Sequence, residues 1–413
     1  MQTFRDKIQR GIRLNGYGQN LLILYAGRFV SLIGDRIYLI ALTFLLAHRH
    51  PGFLTVLWVI SLVAPILTQM IAGSVTDHFG SKKTAILSDI VRALATGLMP
   101  LTLESPVLFL LVFIVSGAGA FFSSSLYPLV TNLTAVDTRQ KVNSILNSVG
   151  SAAMFIGPLI GGLLLAKSPV FPFLIQSFTF VVSATALLII PAPKLGNTQP
   201  RQPHENRLRS FWADIRLAWN FVMKHAVLKK IMWIAIFINL GGGTLDAYEV
   251  LYVTKAVHLG STGYAGVVSG SGIAFFLAGV INARYAKRLA PSQRLAVGTL
   301  LLVGGLVPYA FSFNFAMIIS SIFVFAFGMV TTMTAISTIR QNAIPVDIQG
   351  RVTSLQSTLQ ISAGALSVLV GGALIPVLPI RSIITGAVIA AAFSLPVAWT
   401  AWSDEPVSSD VKA

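Results

Sequence analysis

The chain has 413 residues, of which 54% are hydrophobic and 11% are charged, and its mean hydropathy is +0.77. This composition is more apolar than a single soluble core can bury, so it excludes an ordinary water-soluble domain. The sequence contains no cysteine, which excludes a disulfide framework and a thiolate site for metal or redox chemistry. The formal net charge is +16.

Twelve apolar segments have about the 20 residues that a helix needs to cross about 30 Å of hydrocarbon. We expect spans near 20–47, 53–76, 83–103, 106–131, 140–166, 170–190, 228–254, 263–285, 293–311, 314–339, 350–376 and 380–402. The first apolar run is long enough to stay in the membrane, so a cleaved signal is not expected. The predicted fold is an all-α polytopic membrane protein with twelve transmembrane helices.

A repeated stretch relates the two halves of the chain at an offset of 210 residues. Asn132, Val136, Asp137, Lys141, Val142, Ser144 and Gly161-Gly162 recur as Asn342, Val346, Asp347, Arg351, Val352, Ser354 and Gly371-Gly372. Adding the same offset to the first six spans nearly reproduces the second six. The repeat predicts two pseudo-symmetric six-helix bundles, residues 1–190 and 228–413, as in transporters with a path between two similar halves.

The basic residues are distributed unevenly between the two sides of the predicted membrane protein. With the N-terminus inside, cytoplasmic segments carry 23 of the 30 Lys and Arg, whereas outside loops carry Arg49, Lys167, Lys255 and Arg381. This asymmetry follows the positive-inside rule, so the charge sets the orientation of the chain. We expect both termini in the cytoplasm and no binding of nucleic acid.

Residues 191–227 are predicted to link the two bundles on the cytoplasmic side. Pro191 to Asn206 is rich in Pro, Asn and Gln, which is typical of a flexible segment. An amphipathic helix follows, with its apolar residues at helical spacing: Phe211, Ile215, Ala218, Trp219 and Val222. This helix either lies on the inner leaflet or packs as a strut under the bundles.

The loop after the second span reads Gly73-Ser-Val-Thr-Asp77-His78-Phe-Gly80-Ser-Lys82-Lys83. Gly73, one turn before Asp77, permits close helix contact, Gly80 permits a tight turn, and the two lysines are expected to anchor in phospholipid headgroups. The spacing resembles the signature loop of the major facilitator superfamily, with His78 where that family usually has arginine.

A second motif lies on the fifth span and reads Gly157-Pro158-Leu-Ile-Gly161-Gly162. The glycines permit close helix approach and the proline removes one backbone hydrogen bond, which produces a bend that opens or seals a cavity. The motif resembles the glycine-proline motif of the superfamily's exporters, although Ala153 occupies a usual glycine position. Ordinary helix packing is the alternative interpretation.

Three further phrases indicate the branch of the superfamily: Ser31-Leu-Ile-Gly34-Asp35, Asp89-Ile-Val-Arg92 and Gln349-Gly350-Arg351-Val352. With them, the chain resembles the drug:proton antiporters that include macrolide-efflux and enterobactin-exporter-like proteins. The resemblance implies rocker-switch alternating access and export driven by a proton gradient, with no cofactor. Its implied partners are the lipid bilayer, protons and a small amphipathic organic substrate, for a functional monomer in the bacterial inner membrane.

Other functions remain open at this stage. A siderophore exporter or a lysophospholipid transporter would use the same scaffold. A membrane enzyme and a transport-inactive sensor are more distant alternatives. The sequence has neither a Gly-x-x-x-x-Gly-Lys-Ser/Thr loop for ATP nor a His-Glu-x-x-His run for a metal, so neither ATP hydrolysis nor a metal centre is expected.

Ionisable residues at membrane depth are the candidate substrate and proton site, because each costs about 2.5–3.5 kcal/mol at a helix centre unless it faces water or a partner. On the first span, Arg28 and Asp35 are seven residues apart and share a face, with Tyr38 nearby. On the seventh span, Asp246 and Glu249 share another face.

The repeat aligns Tyr38 with Tyr248 and places Asp246 opposite the neighbour of Asp35. We predict that Asp35, Asp246 and Glu249 take up and release protons during the cycle and attract the substrate. The alternatives are that Asp35 only pairs with Arg28 or Arg36, and that Glu249 lies in the outer interface.

Two further groups of residues complete the prediction. Asp77 is expected to stabilise the N-terminus of the eleventh helix, with Arg92 completing a gating cluster; a solvated loop carboxylate is the alternative. Four amides recur at one-turn spacing and either line the inner mouth or form interhelical hydrogen bonds. They are Asn143, Asn147, Gln356 and Gln360.

Overall fold

A computed structural model of the chain describes residues 17–49, 51–133, 139–168, 170–191, 207–285 and 289–402. These residues form helices joined by short turns, and no strand occurs among them. The α-helices are α1 Tyr17–Arg49, α2 Pro51–Phe79, α3 Ser81–Thr102, α4 Val107–Asn132, α5 Arg139–Lys167, α6 Phe171–Ile189, α7 Arg207–Lys224, α8 Ala226–Leu251, α9 Gly260–Tyr285, α10 Pro291–Ala310, α11 Phe315–Ala343, α12 Val346–Leu374, α13 Ile380–Ala392 and α14 Ser394–Trp402.

Every predicted span coincides with a helix, which confirms the all-α membrane fold. Within the described part of the chain, eleven helices or helix pairs are long and apolar enough to cross a membrane. The remaining predicted span, the fifth, corresponds to the 29-residue helix α5. The last span is broken between α13 and α14, where Ser394 Oγ donates to the carbonyl of Ala391 and Pro396 lacks the amide hydrogen that would continue the first helix.

The chain divides into two compact units. The first comprises residues up to Leu42 and those from Ile60 to Thr198, and the second comprises Thr43–Val59 and the residues from Gln199 onward. The segment Thr43–Val59, which the repeat assigns to the first bundle, is thus grouped with the second unit. Two contacts within that unit involve this segment. Thr55 Oγ1 lies 2.8 Å from the hydroxyl of Tyr248, and the Phe44 ring stacks on Tyr264 at a centroid distance of 5.8 Å.

The repeated glycines bring equivalent helices together in each unit. A Cβ atom on Gly161 of α5 would lie 3.3 Å from the Ile37 Cα of α1. A Cβ atom on Gly371 of α12 would lie 2.8 Å from the Tyr248 ring of α8. At the offset of 210 residues, Ile37 corresponds to position 247, which is next to Tyr248. The two glycines therefore contact equivalent helices at nearly the same level. The close helix approach predicted for the glycines of the fifth span is therefore present, whereas their role in opening or sealing a cavity stays a prediction.

Helix α7 packs within the second unit against α8 and α12, and its Ala218 and Val222 are fully buried. This packing agrees with the strut interpretation, and contact with the inner leaflet stays a prediction. Trp219, which the periodicity placed with the apolar face, is instead exposed together with Leu217. It lies one residue, or about 100°, around the helix from Ala218. The predicted flexible segment lies largely outside the described residues.

Helices α10 and α11 approach most closely where glycines face backbone atoms. A Cβ atom on Gly305 would overlap the Phe325 backbone nitrogen and lie 2.8 Å from the Ser321 carbonyl oxygen. On the facing helix, a Cβ atom on Gly328 would overlap the backbone of Leu302. Neither contact can be relieved by rotating a side chain, so both positions require glycine.

Gly305→Ala is expected to lower the free energy of unfolding by about 1–3 kcal/mol, the usual cost of overpacking a filled interior. Gly304→Ala is the matched control, because a Cβ atom at the neighbouring position meets no atom within 4 Å. Alanine also favours a helix over glycine by up to about 1 kcal/mol. Thermal unfolding of both purified variants in one detergent measures the difference, and equal midpoints would contradict the packing described.

Candidate functional site

Charged side chains from α1 and α3 meet inside the first unit. Arg92 Nη2 donates to Asp35 Oδ1 at 2.8 Å, and Arg92 Nη1 donates to Asp89 Oδ1 at 3.3 Å. Arg28 of α1 lies within electrostatic range of these three groups. When all four groups are ionised their charges cancel, so the helices hold a neutral cluster rather than an isolated charge.

The surface of α3 explains why this helix carries charge inward. Asp89 and Arg92 are three residues apart and share a face, on which Thr96 is also buried. The opposite face exposes Leu87, Leu94 and other leucines. This polarity is the reverse of that of a soluble amphipathic helix, and it is expected of a membrane helix that turns apolar residues to lipid and ionisable ones to the protein.

Gln176 of α6 makes the second hydrogen bond to Asp35. Its Nε2 donates to Asp35 Oδ1 at 2.6 Å, while its Oε1 accepts a hydrogen bond from Thr179 at 3.0 Å. The side chain fits because residue 34 is glycine: a Cβ atom there would overlap Gln176 Oε1 and lie 2.5 Å from Thr179 Oγ1. Two donors, Arg92 Nη2 and Gln176 Nε2, therefore converge on one oxygen of Asp35.

Phenylalanine rings form the apolar side of the cluster. The Arg92 guanidinium lies 3.8 Å from the centroid of the Phe180 ring, and the Arg28 guanidinium lies 4.9 Å from that of Phe122. Both rings are fully buried, so these cation–π contacts occur away from water, where they are strongest. The side chains of Arg92 and Asp89 are 6% and 0% exposed, whereas that of Asp35 is 30% exposed. Asp35 is thus the most accessible of these three.

Several predicted partners in the first unit differ from those observed. Asp35 pairs with Arg92, not with Arg28 or Arg36. Arg36 is exposed, and its stem packs over Gly157. Arg92, predicted for a gating cluster with Asp77, belongs instead to the buried cluster, because it lies three turns into α3 and on its buried face. Tyr38, predicted to line the site, is buried edge-on against Phe173.

In the second unit, the predicted acids of α8 lie near tyrosines. Glu249 is partly buried and accepts a hydrogen bond from the Tyr309 hydroxyl at 3.1 Å. Asp246 is exposed, and both carboxylates lie within electrostatic range of the buried Tyr264. Tyr248, predicted for the binding site, is fully buried and donates to the Val368 carbonyl at 2.8 Å. It ties α8 to α12 and does not line a solvent-reached surface.

In the signature loop, the prediction for one residue is confirmed and the predictions for two others are wrong. Gly80 has φ +85° and begins the tight turn into α3, as predicted. Gly73 is exposed and a Cβ atom there would meet nothing within 4 Å, so the predicted close contact is absent. Lys82 Nζ donates to the carbonyls of Leu188 and Ile190. It caps the C-terminal end of α6, whose carbonyls lack helical partners, and does not point to headgroups.

The structure describes the side chains of some of the other predicted gating and inner-mouth residues. Lys83 is exposed, and Gly162 is buried with Gly161. Gln356 is fully buried, and neither of its amide atoms has a hydrogen-bond partner among the described residues. Gln360 is partly exposed. The side chains of Asp77, Asn143, Asn147 and Pro158 lie outside the described residues.

Sequence reasoning missed Asp89, Gln176 and the two phenylalanines as site residues. The spacing of Asp89 and Arg92 in an apolar helix was a usable sign, because it places opposite charges on one face. Nothing in the local sequence distinguishes Gln176, whose contact with Asp35 spans 141 residues.

Comparison with known proteins places this architecture in a family. The family model of the Major Facilitator Superfamily matches residues 24–368. Multidrug efflux pump Tap of Mycolicibacterium fortuitum is 21% identical over 385 residues, covering 86% of this chain and 89% of the relative. The uncharacterized MFS-type transporter YfiS of Bacillus subtilis is 25% identical over 371 residues, covering 84% and 86%.

Solved structures share the fold at low sequence identity. The nucleoside transporter NupG superimposes with a TM-score of 0.66 at 13% identity, covering 94% of this chain and 100% of that one. A bacterial homologue of the human lysosomal transporter Spinster, in an inward-facing and unoccupied conformation, gives a TM-score of 0.69 at 11% identity, covering 94% and 97%. At these identities the likeness establishes the fold alone.

Arg92→Met is expected to destabilise the protein by about 3–5 kcal/mol, because it leaves two carboxylates near each other without their shared partner. Asp89→Asn in the Arg92→Met background should restore part of the loss by removing the fully buried charge. Arg284→Met, at an exposed position of α9, is the control for loss of an arginine. Thermal unfolding in detergent measures all four proteins, and an Arg92→Met midpoint equal to that of wild type would contradict the buried cluster.

Proposed function

Because this chain belongs to the Major Facilitator Superfamily and is a multi-pass membrane transporter rather than an enzyme, we propose that it exports amphipathic organic molecules in exchange for protons. It works by alternating access in the bacterial inner membrane with both termini in the cytoplasm. The similarity to Tap, a multidrug efflux pump, supports export of amphipathic drugs over the other cargoes of this scaffold.

The proposed coupling between proton binding and alternating access rests on one observation. An accessible carboxylate, Asp35, is paired with an inaccessible arginine, Arg92, inside apolar helices. When Asp35 binds a proton, the cluster changes from neutral to one net positive charge. A net charge at membrane depth is unfavourable by several kcal/mol unless water or a counter-charge reaches it. Protonation therefore favours a conformation in which the cluster meets water or counter-charge, which links the proton to alternating access.

The same carboxylate favours cationic cargo. An amphipathic organic cation that approaches Asp35 neutralises it as a proton does, so the two compete for one site and are exchanged. For a monovalent cation the exchange is electroneutral, and each unit of pH difference sustains a tenfold cargo gradient. For a neutral cargo the proton also moves with the membrane potential, which provides about 2.3 kcal/mol per 100 mV, or roughly a fifty-fold gradient.

Asp35→Asn should abolish pH-driven transport, because asparagine keeps the shape and the acceptor oxygen but neither binds nor releases a proton. Purified protein in liposomes with an imposed pH gradient is assayed with ethidium, an amphipathic organic cation. Wild type is expected to move ethidium against its gradient, and Asp35→Asn to lose at least about tenfold in rate, the size of effect that removal of a required proton-transfer group produces.

Glu104→Gln, the same chemical change in the exposed turn after α3, is the matched control and should transport at the wild-type rate. Unchanged transport by Asp35→Asn would remove Asp35 from the coupling role. Wild-type transport that is indifferent to the pH gradient would contradict proton coupling altogether. A parallel panel of macrolides and siderophores then distinguishes drug export from siderophore export.

A further inference from the structure

We propose that the outward face of α7 binds the headgroup of an anionic phospholipid, with Arg216 and Lys224 holding the phosphate and Leu217 and Phe221 contacting the start of its acyl chains. The inference goes beyond the proposed function and does not depend on it. It concerns how the second unit is attached to the bilayer, whatever molecule the protein transports.

Helix α7 has a buried side and a basic side opposite to it. Ala218 and Val222 are fully buried, and at 100° per residue Asn220 lies about 180° from the midpoint between them. Arg216 and Lys224 come four residues before and after Asn220, so the three residues form one exposed line along the helix. Packing against α8 and α12 therefore leaves the two cations facing away from the protein.

An open groove of about 470 Å³ follows this line and is lined by Arg216, Leu217, Asn220, Phe221 and Lys224. The two cations are about 12 Å apart along the helix axis, so their long side chains can close from both ends on one phosphate above Asn220. Leu217 and Phe221 are four residues apart and form an apolar edge beside the charged line. This combination suits a molecule with an anionic head and hydrocarbon chains, because a free phosphate has nothing to place against the apolar edge.

Charged residues in this part of the chain are of one sign. The sequence contains no Asp or Glu from Ile215 to Leu245, whereas residues 215–230 contain four cations, Arg216, Lys224, Lys229 and Lys230. The nearest acid, Asp214, is placed by helical spacing about 120° around α7 from Asn220. The groove therefore has positive charge that its own segment does not neutralise, which favours an anionic ligand from outside the segment.

The start of α8 places the groove at the level of the headgroups. Helix α7 ends at Lys224 and α8 begins at Ala226. On α8, Lys229 is exposed and Trp233, four residues further on, is 44% exposed. A cation followed one turn deeper by a tryptophan is typical of the boundary between headgroups and hydrocarbon. Since His225 is only about 6 Å before Lys229 along the helix, the end of α7 lies at that boundary.

Two apolar side chains of α7 are left exposed by its packing against the protein. Leu217 is 43% exposed and Trp219 is 41% exposed, and they flank the basic line on opposite sides. Burial of Ala218 and Val222 accounts for the strut but not for these two residues. In a leaflet, both would contact the upper part of the acyl chains, where tryptophan is enriched. The strut and the lipid contact thus use opposite faces of one helix.

Native mass spectrometry of the full-length protein in detergent tests the headgroup site, with phosphatidylglycerol, phosphatidylcholine of the same chains, or inorganic phosphate added. Wild type is expected to retain phosphatidylglycerol more tightly than the zwitterionic lipid. Arg216→Gln with Lys224→Gln should weaken phosphatidylglycerol binding by about thirtyfold, because each cation near an anionic headgroup contributes about a factor of five. Binding of phosphatidylcholine should change much less.

Two matched variants separate this site from a general effect of charge. Arg216→Lys with Lys224→Arg keeps both charges and should bind phosphatidylglycerol nearly as wild type does. Lys255→Gln with Arg284→Gln removes two exposed cations of the second unit that lie on α9 or at the end of α8, and it should also bind as wild type does. Thermal unfolding in the same detergent checks that each variant is folded.

Trp219 reports the same contact in a bilayer. Its fluorescence is obtained as the difference between wild type and Trp219→Phe, both in lipid nanodiscs. Phosphatidylglycerol brominated in the upper part of its chains should quench this signal more than an equal fraction of brominated phosphatidylcholine. Arg216→Gln with Lys224→Gln should make the two lipids equally effective.

Four outcomes overturn the lipid site: equal retention of the two lipids by wild type, unchanged phosphatidylglycerol binding after loss of both cations, binding by the charge-keeping variant as weak as that of the glutamine variant, or a Trp219 signal that neither lipid quenches. Retention of inorganic phosphate that requires Arg216 and Lys224 would assign the groove to a soluble anion and overturn the lipid as its ligand. None of these measurements involves transport, so failure of proton-coupled export and failure of the lipid site are distinguished.

Discussion

The interaction on which the first unit depends is the pairing of one buried arginine with two carboxylates inside helices that otherwise face lipid. An arginine at membrane depth is tolerated when its charge is matched locally, and Asp35 and Asp89 match that of Arg92. Much of the surrounding sequence follows from this requirement. Leucines cover the opposite face of α3, Phe180 covers the guanidinium, and Gly34 leaves the space that Gln176 needs to reach Asp35.

The two units share their helix packing but not their buried charged groups. Glycine packing is shared, since Gly161 and Gly371 bring equivalent helices together. The charged cluster is not shared: at the offset of 210 residues, Asp35, Asp89, Arg92 and Gln176 correspond to Leu245, Thr299, Leu302 and Gly386. At these positions the buried charges are thus replaced by apolar or small residues in the second unit.

The two units therefore hold their helices together by different contacts. In the second unit a serine, Ser367, stands where the first has Gly157, and it bonds to Thr244 at 2.6 Å between the hydroxyl oxygens. Neutral hydrogen bonds of this kind hold helices together without responding to pH. The first unit instead joins α1, α3 and α6 through the ion pair of Arg92 with Asp35 and the amide of Gln176.

The sequence by itself determined the spans, the repeat and the superfamily, because hydropathy, offset and motif spacing are local or periodic properties. It also determined that Gly80 makes the turn into α3. Tertiary structure decided the partners. The sequence predicts Arg92 in a gating cluster with Asp77 and Lys82 at the headgroups, because spacing along one helix says nothing about which neighbouring helix a long side chain reaches. Gln176 gave no local sign, since its role exists only when α6 lies against the gap at Gly34. Hydrophobicity fixes where a helix lies in the membrane, but the choice among nearby partners for a buried charge depends on distances of a few ångströms, and these arise only when the helices are packed.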